Sequence, residues 1–355
     1  MHRCHNQRYL MFIHQSYAYA MLRPLQQAIR AHGGEVCWFL ATDEVDPGFL
    51  ASDERRLMSI DEVRAWQPHA VLVPGNVVPS FIPGIKVGVF HGFNSGKINS
   101  RGREDHFEIR GCFDLYCTQG PNTTAPFVEL AKQHGFFDVV ETGWANLDPL
   151  FTPCADNPYL DGNDSRPTLL FCSTFSQKYS CAKKLVPELE ALRDSGKWRI
   201  LVQFHPKMEQ AVIDTYKGMQ NDNLTFVETD NVIPLLQAAD LMLCDTSSML
   251  LMFLLQQKPV VTFNTQTPQP HLLNVTEPEQ IAEALELAHS RPAELMAAIE
   301  AFSNQLHPYR DGRSTERVLV AVNTLIESGL GHLKAKPLNL IRRFKQRKSL
   351  GYWRW

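Results

Sequence analysis

No stretch of this 355-residue chain stays apolar for the roughly 18–20 residues that a bilayer-spanning helix needs. Near its start, the apolar run 9–13 is too short for the core of a secretory signal, and no small-residue cleavage site follows it. That run reads as a first strand, and the expected location is the cytoplasm. Metal-ligand cysteine pairs are also missing. The eight cysteines (Cys4, Cys37, Cys112, Cys117, Cys154, Cys172, Cys181, Cys244) are scattered, and none forms a CxxC pair. Several sit in apolar strand-like runs, which suits buried thiols; no metal and no cofactor is expected. Neither a GxxxxGK[ST] phosphate loop nor a GxGxxG dinucleotide fingerprint occurs. There is no internal repeat and no low-complexity tract.

Acid is absent from one place. Residues 334–355 hold eight Lys or Arg and no Asp or Glu. The rest of the chain keeps 27 of the 35 basic residues against all 38 acidic ones, which makes it a poor binder of nucleic acid.

With a hydrophobic share of 44% and a charged share of 21%, the chain has the composition of a globular protein. Its length suits two domains better than one. Short β-branched or aromatic runs alternate with helical stretches, the pattern of parallel sheets covered by helices. Strands are expected at 9–13, 35–40, 70–74, 86–90, 115–118 and 139–142, with helices at 18–32 and 121–134. A Pro-, Asp- and Asn-rich stretch at 151–167 reads as a linker. Beyond it, strands are expected at 168–172, 199–204, 224–227, 241–244 and 260–263, and helices near 181–195, 209–220, 232–238, 247–256, 278–289, 293–305 and 314–328. The expected fold class is therefore α/β, with two Rossmann-like domains and a cleft between them. An N-terminal domain would cover 1–150, the linker 151–167, a C-terminal domain 168–330 and a basic, aromatic tail 331–355.

In open parallel sheets ligands sit beyond the carboxyl ends of the strands, so residues just after strands matter most. One expected strand runs into His91-Gly92-Phe93-Asn94-Ser95-Gly96-Lys97, a glycine-containing polar loop able to approach an anion. Another runs into His205-Pro206-Lys207. Either histidine alone reads more readily as structural. Two of them, one per domain, each at a strand end, suit proton transfer or hydrogen bonding to a phosphate near neutral pH. A third strand ends at Asp245, and Thr246-Ser247-Ser248 opens a helix. One hydroxyl there serves as a cap; three beside unpaired helix amides make a phosphate seat. Finally, Asp311-Gly312 reads as a turn, and Arg310, Arg313 and Arg317 near the last long helix could pair with phosphate or with solvent.

These pieces, in this order, resemble the CDP-glycerol glycerophosphotransferase family. His91, Gly92 and Lys97 are similar to its HG-x-x-x-K segment, with one residue more before the lysine; Gly143 to Asp148 matches G-x-P-x-x-D, with Ala145 where proline is usual. Ser173-Thr174-Phe175 is similar to P-T-F, with its proline replaced; His205-Pro206 is the HP motif and Asp245 to Ser248 the D-x-SS motif. Asp311 to Arg317 is similar to DG-x-[SA]-x-R. The resemblance spans roughly residues 10–328. It implies a GT-B fold, with the acceptor on the first lobe and the nucleotide donor on the second. It implies His91 and His205 as the catalytic pair, one acting as base and the other steadying a phosphate. Donor binding would fall to Gly92, Lys97, Thr174, Lys207, Asp245, Thr246, Ser247, Ser248 and Arg317. The implied reaction moves phosphoglycerol or a similar phospho-polyol from a CDP-activated donor to a lipid-linked or saccharide acceptor in cell-envelope polymer synthesis. CMP would be displaced directly, with no covalent enzyme intermediate. A GT-B glycosyltransferase using a CMP-sugar or UDP-sugar, and a non-catalytic saccharide-binding or assembly protein, are the alternatives.

The tail joins its cations to Phe344, Tyr352, Trp353 and Trp355. Leu338, Ile341 and Phe344 recur at helical spacing after Pro337, so a short amphipathic helix is expected. Its composition suits the anionic inner-membrane surface; a solvated tail is the alternative, and no motif supports RNA.

Overall fold

The computed structural model describes residues 6–94, 96, 98–99, 102, 104–160, 162–229, 231–246 and 249–354. Among them the chain divides into two compact units, Met1–Asp148 with Gln305–Trp355, and Pro149–Asn304.

The first unit is built on six parallel strands: β1 (Arg8–Ile13), β2 (Glu35–Leu40), β3 (Ala70–Val73), β4 (Ile85–Gly88), β5 (Leu115–Thr118) and β6 (Asp138–Glu141), in the order β2-β1-β3-β4-β5-β6. Helices α1 (Ala18–Ala31), α2 (Ile60–Trp66) and α3 (Pro121–His134) connect them. β1 shows why these residues form a central strand. All but its first residue are buried, so its two faces feed two separate cores: Tyr9, Met11 and Ile13 one, Leu10 and Phe12 the other.

After a single turn, α4 (Asp148–Phe151), the second unit repeats the plan with β7 (Thr168–Ser173), α5 (Val186–Ser195), β8 (Arg199–Phe204), α6 (Gln210–Gly218), β9 (Leu224–Phe226), α7 (Ile233–Ala238), β10 (Leu241–Cys244), α8 (Met249–Leu255), β11 (Val260–Phe263), β12 (Leu273–Val275), α9 (Ile281–His289) and α10 (Ala293–Leu306). Its sheet runs β12-β11-β10-β7-β8-β9. The connections therefore reverse direction between β7 and β10, and in the first sheet between β1 and β3. Ligand crevices of this architecture form at such reversals. The α/β class with two Rossmann-like domains is the one expected.

The domain division differs from the expected one. Helix α11 (Ser314–Ser328) returns to the first unit, where Val318, Leu319, Val322 and Leu325 share a core with Leu22, Leu25 and Ile29 of α1. Each fully buried aliphatic side chain contributes about 2 kcal/mol, so the apolar face of α11 decides its allegiance. Residues 151–167 belong to the second unit rather than standing apart. Asn157 is buried there and donates to the carbonyl of Pro234 (2.8 Å).

The tail is not a free appendage either. Lys336 pairs with buried Asp114 (2.6 Å), Asn339 donates to Arg110 O (3.0 Å), and Tyr352 stacks on Phe81 (5.1 Å). Arg347 is buried, its guanidinium lying 4.8 Å from the Phe81 ring. Helix α12 (Leu340–Ser349) is thereby fixed to the first unit. Leu340, Ile341 and Phe344 remain exposed on it, as do Leu338 before it and Trp353 after it, Phe344 and Trp353 meeting edge to face at 5.5 Å.

Candidate active site

In the second unit three strand ends meet at the reversal: Ser173 of β7, Phe204 of β8 and Cys244 of β10. Asp245, directly after β10, is only 1% exposed. Its carboxylate accepts from Ser173 Oγ (2.5 Å), Thr174 N (2.9 Å) and Cys181 N (3.0 Å). The residue expected to face the donor thus points inward and pins the loop that starts at Thr174. Thr246 is exposed, while Ser247 and Ser248 lie outside the described residues.

Above this anchor opens a cavity of about 450 Å³ lined by Thr174, Phe175, Gln203, His205, Thr246 and Met249, among others. Three of the expected site residues, Thr174, His205 and Thr246, therefore share one space. Lys207 sits beside it, with Nζ 5.8 Å from the Phe175 ring centre. His205 is exposed but held on two sides. The Phe175 ring lies 4.6 Å from its own, and the Lys207 backbone N–H donates to its Nδ1 at 3.0 Å. A neutral imidazole whose Nδ1 accepts must carry its proton on Nε2. His205 is therefore a donor towards whatever its Nε2 reaches.

In the first unit His91 follows β4 by three residues. Phe90 before it has φ of +58°, a left-handed conformation that costs an L-residue roughly 1–2 kcal/mol. Surrounding rings enforce it: His106 stacks on Phe90 at 5.1 Å, and Phe127 meets it edge-on at 5.3 Å. Burial pushes His106 down to about 4, so it stacks as a neutral ring. The turn throws His91 out to the surface, where its Nδ1 donates to Pro74 O at 3.0 Å. A carbonyl only accepts, so the neutral His91 carries its proton on Nδ1 and leaves Nε2 as a base. Gly92 offers its carbonyl to Gln119 Nε2 (2.9 Å), and Lys97 lies outside the described residues.

Arg317 is placed differently from expectation. It belongs to the first unit, with Gly92, and not to the second unit with Thr174, Lys207, Asp245 and Thr246. Asp311 takes both of its terminal nitrogens, one at 3.0 Å, and its guanidinium lies 4.0 Å over the ring of Tyr309. Hydrogen bonding from Arg317 holds the Asp311 carboxyl below its ordinary value. Nearby, Asp148 caps α11 by accepting from Ser314 N (2.8 Å) and Thr315 N (2.7 Å). Gly143, at φ +77°, leaves no room for a Cβ, which would fall 2.4 Å from Ser314 Oγ. The segments Gly143–Asp148 and Asp311–Arg317 thus form one packing joint that seats α11.

Two residues at the first unit's strand ends escaped the sequence reading, His14 and Tyr17. The signal for His14 was present: it follows β1 directly, as His205 follows β8.

Residues 138–269 match the model of the family described as CDP-Glycerol:Poly(glycerophosphate) glycerophosphotransferase. No curated protein matches. Among solved structures, the wall teichoic acid polymerase TagF aligns over 92% of this chain and 90% of its own, at 14% identity and a TM-score of 0.64. A putative UDP-N-acetylglucosamine 2-epimerase from Listeria monocytogenes aligns over 91% and 98%, at 15% identity and a TM-score of 0.63. The UDP complex of MnaA from S. aureus aligns over 93% and 99%, at 16% identity and a TM-score of 0.60. At these identities the likeness is one of fold, here the GT-B fold expected from the motifs. The family match is what marks the chain as a transferase.

Proposed function

Starting from a transferase of the CDP-glycerol glycerophosphotransferase type, we propose that this chain moves phosphoglycerol, or a similar phospho-polyol, from a CDP-activated donor to a hydroxyl of a lipid-linked or saccharide acceptor. The opposite proton placement on two histidines carries this reading: His91 Nε2 is free to accept, His205 Nε2 is poised to donate. The acceptor hydroxyl attacks the polyol-bearing phosphorus, and the bond from that phosphorus to the oxygen of CMP breaks. The hydroxyl proton passes to His91 Nε2, while His205 Nε2–H donates to a phosphate oxygen as charge builds there. The donor lies in the cavity beside Thr174 and Thr246, with Lys207 adding positive charge. The motif resemblance adds Gly92, Lys97, Ser247 and Ser248 to the residues proposed to bind the donor. Asp245 serves by holding Thr174 in place, and Arg317 by seating α11.

The reading extends to location. The chain works at the cytoplasmic face of the inner membrane, resting on α12. The exposed Leu340, Ile341 and Phe344, flanked by Lys345 and Lys348, support this: apolar side chains enter the headgroup boundary while cations meet anionic lipid. No described helix is long and apolar enough to cross a membrane.

The test is a donor panel of CDP-glycerol, CDP-ribitol, CMP-sugars and UDP-sugars. Binding raises the melting temperature by mass action. CDP-polyols should give the largest shift and release CMP when an acceptor is added. A larger shift from a UDP-sugar, or no CMP from any CDP-polyol, overturns the proposal.

A further inference from the structure

The first sheet reverses between β1 and β3, and the residues at that reversal converge. His14 leaves β1 with its imidazole edge-on to Phe12 at 5.1 Å, and Thr42 Oγ1 donates to its carbonyl at 2.7 Å. Gly75, just past β3, lies so close that a Cβ there would be 3.4 Å from His14 Nδ1. His91 is hydrogen-bonded to the carbonyl of the preceding residue, Pro74 (3.0 Å). The two imidazoles therefore flank the Pro74–Gly75 segment. Tyr17, 49% exposed, places its ring 6.3 Å from that of His91. Ser16 fixes the approach to Tyr17 by accepting from Asp46 N at 3.0 Å. Among the described residues, neither the His14 ring nor the Tyr17 hydroxyl makes a hydrogen bond.

We infer that His14 and Tyr17 form a binding subsite for the hydroxyl-rich end of the acceptor, a polyol or sugar, and present one of its hydroxyls to His91 Nε2. An exposed phenol ring offers a face for C–H groups and an O–H for hydroxyls. Burial keeps His14 neutral, so it can donate and accept without adding a cation next to the base. The inference rests on the transferase reading for the identity of the acceptor side, and its test is independent of the donor.

Saturation-transfer NMR of the full chain with glycerol 3-phosphate, and separately with methyl N-acetylglucosaminide, measures this subsite. CMP binding by thermal shift serves as the fold control. Tyr17→Ala and His14→Ala should each weaken binding of at least one probe about five-fold, the loss of one hydrogen bond, with the CMP shift unchanged. His14→Gln should restore part of it. Unchanged probe binding in both alanine variants, or no transfer to either probe in the wild type, overturns the inference. Loss of probe binding alongside a failed CDP-polyol assay leaves the subsite standing and removes the donor assignment instead.

Discussion

The backbone N–H of Lys207 donates to Nδ1 of His205, and this one contact fixes which ring nitrogen of His205 carries the proton. Pro74 O does the converse for His91. The two imidazoles are thus specialised before any ligand binds.

The specialisation can be read from amide mimics. Glutamine places an amide nitrogen near the position of Nε2, asparagine near Nδ1. At position 205, His205→Ala should lower kcat roughly 10²–10³-fold, the usual loss for a positioned phosphate donor, with His205→Gln retaining more activity than His205→Asn. At position 91, glutamine supplies no base, so His91→Gln and His91→Ala should fall together by about 10²–10⁴-fold. Steady-state CMP release measures both series. Equal activity of the Gln and Asn variants at 205, or a marked rescue by Gln at 91, would refute the assignment.

Asp245 should behave as an anchor rather than as a ligand contact. Its carboxylate satisfies two backbone N–H groups and a hydroxyl in a buried setting. Removing it in Asp245→Ala leaves those donors without a partner, at a cost of about 3 kcal/mol. Urea unfolding should show the loss as a lower midpoint, whereas Thr246→Ala at the exposed neighbouring position should change stability by under about 0.5 kcal/mol. A wild-type midpoint in Asp245→Ala would mean that the loop stands without it.

The same residue marks what could and could not be read from the amino acids. The strands were legible because runs such as residues 241–244 are apolar and then stop at a polar residue, and reading the ends of such runs also located His91 and His205. The three-residue β12 and the seven-residue α2 carry too little pattern to register. Sequence gives α11 an apolar face but does not say which core will receive it, so it was assigned to the neighbouring domain. Asp245 sits in a motif that suggests a ligand. Its inward direction depends on the loop from Thr174 to Cys181 folding back over β10, a long-range fact. The proton placement on His91 and His205 depends on backbone groups that no spacing rule reveals.

The tail gives a separable prediction. Exposed Leu340, Ile341 and Phe344 would each contribute roughly 1.5–3 kcal/mol on entering lipid. Replacing all three by serine should abolish sedimentation with vesicles containing phosphatidylglycerol. Lys345→Gln with Lys348→Gln should weaken it by about 1 kcal/mol per charge at low salt, and much less at high salt. Because Arg347 and Tyr352 keep the helix docked, melting temperatures should hold in both variants. Vesicle binding that survives the triple serine change would end the membrane reading of α12.

Stability should also carry a pH signature from His307, beside which Trp144 N donates to Nε2 at 2.9 Å. The residue is fully buried, and burial pushes its imidazole from 6.5 down to about 4. The unfolded chain therefore takes up this proton near pH 6.5, and the native chain only near 4. Where the unfolded state binds more protons, stability falls as pH falls. The contribution is complete above pH 6.5, declines through the window down to 4, and reaches a loss of about 3 kcal/mol below it. His106, lowered to about 4 by its own burial, adds to the same window. Urea unfolding from pH 7.5 to 4 should therefore slope downward. In His307→Gln, which cannot titrate but can still accept from Trp144 N, part of that slope should disappear even if the baseline stability drops, the rest belonging to His106 and to the other histidines that burial lowers, His14, His69 and His271. An unchanged slope in the variant would show that His307 is protonated in the native chain well above pH 4, and would contradict the closed packing around Gly120 and Gly143 that keeps water from its ring.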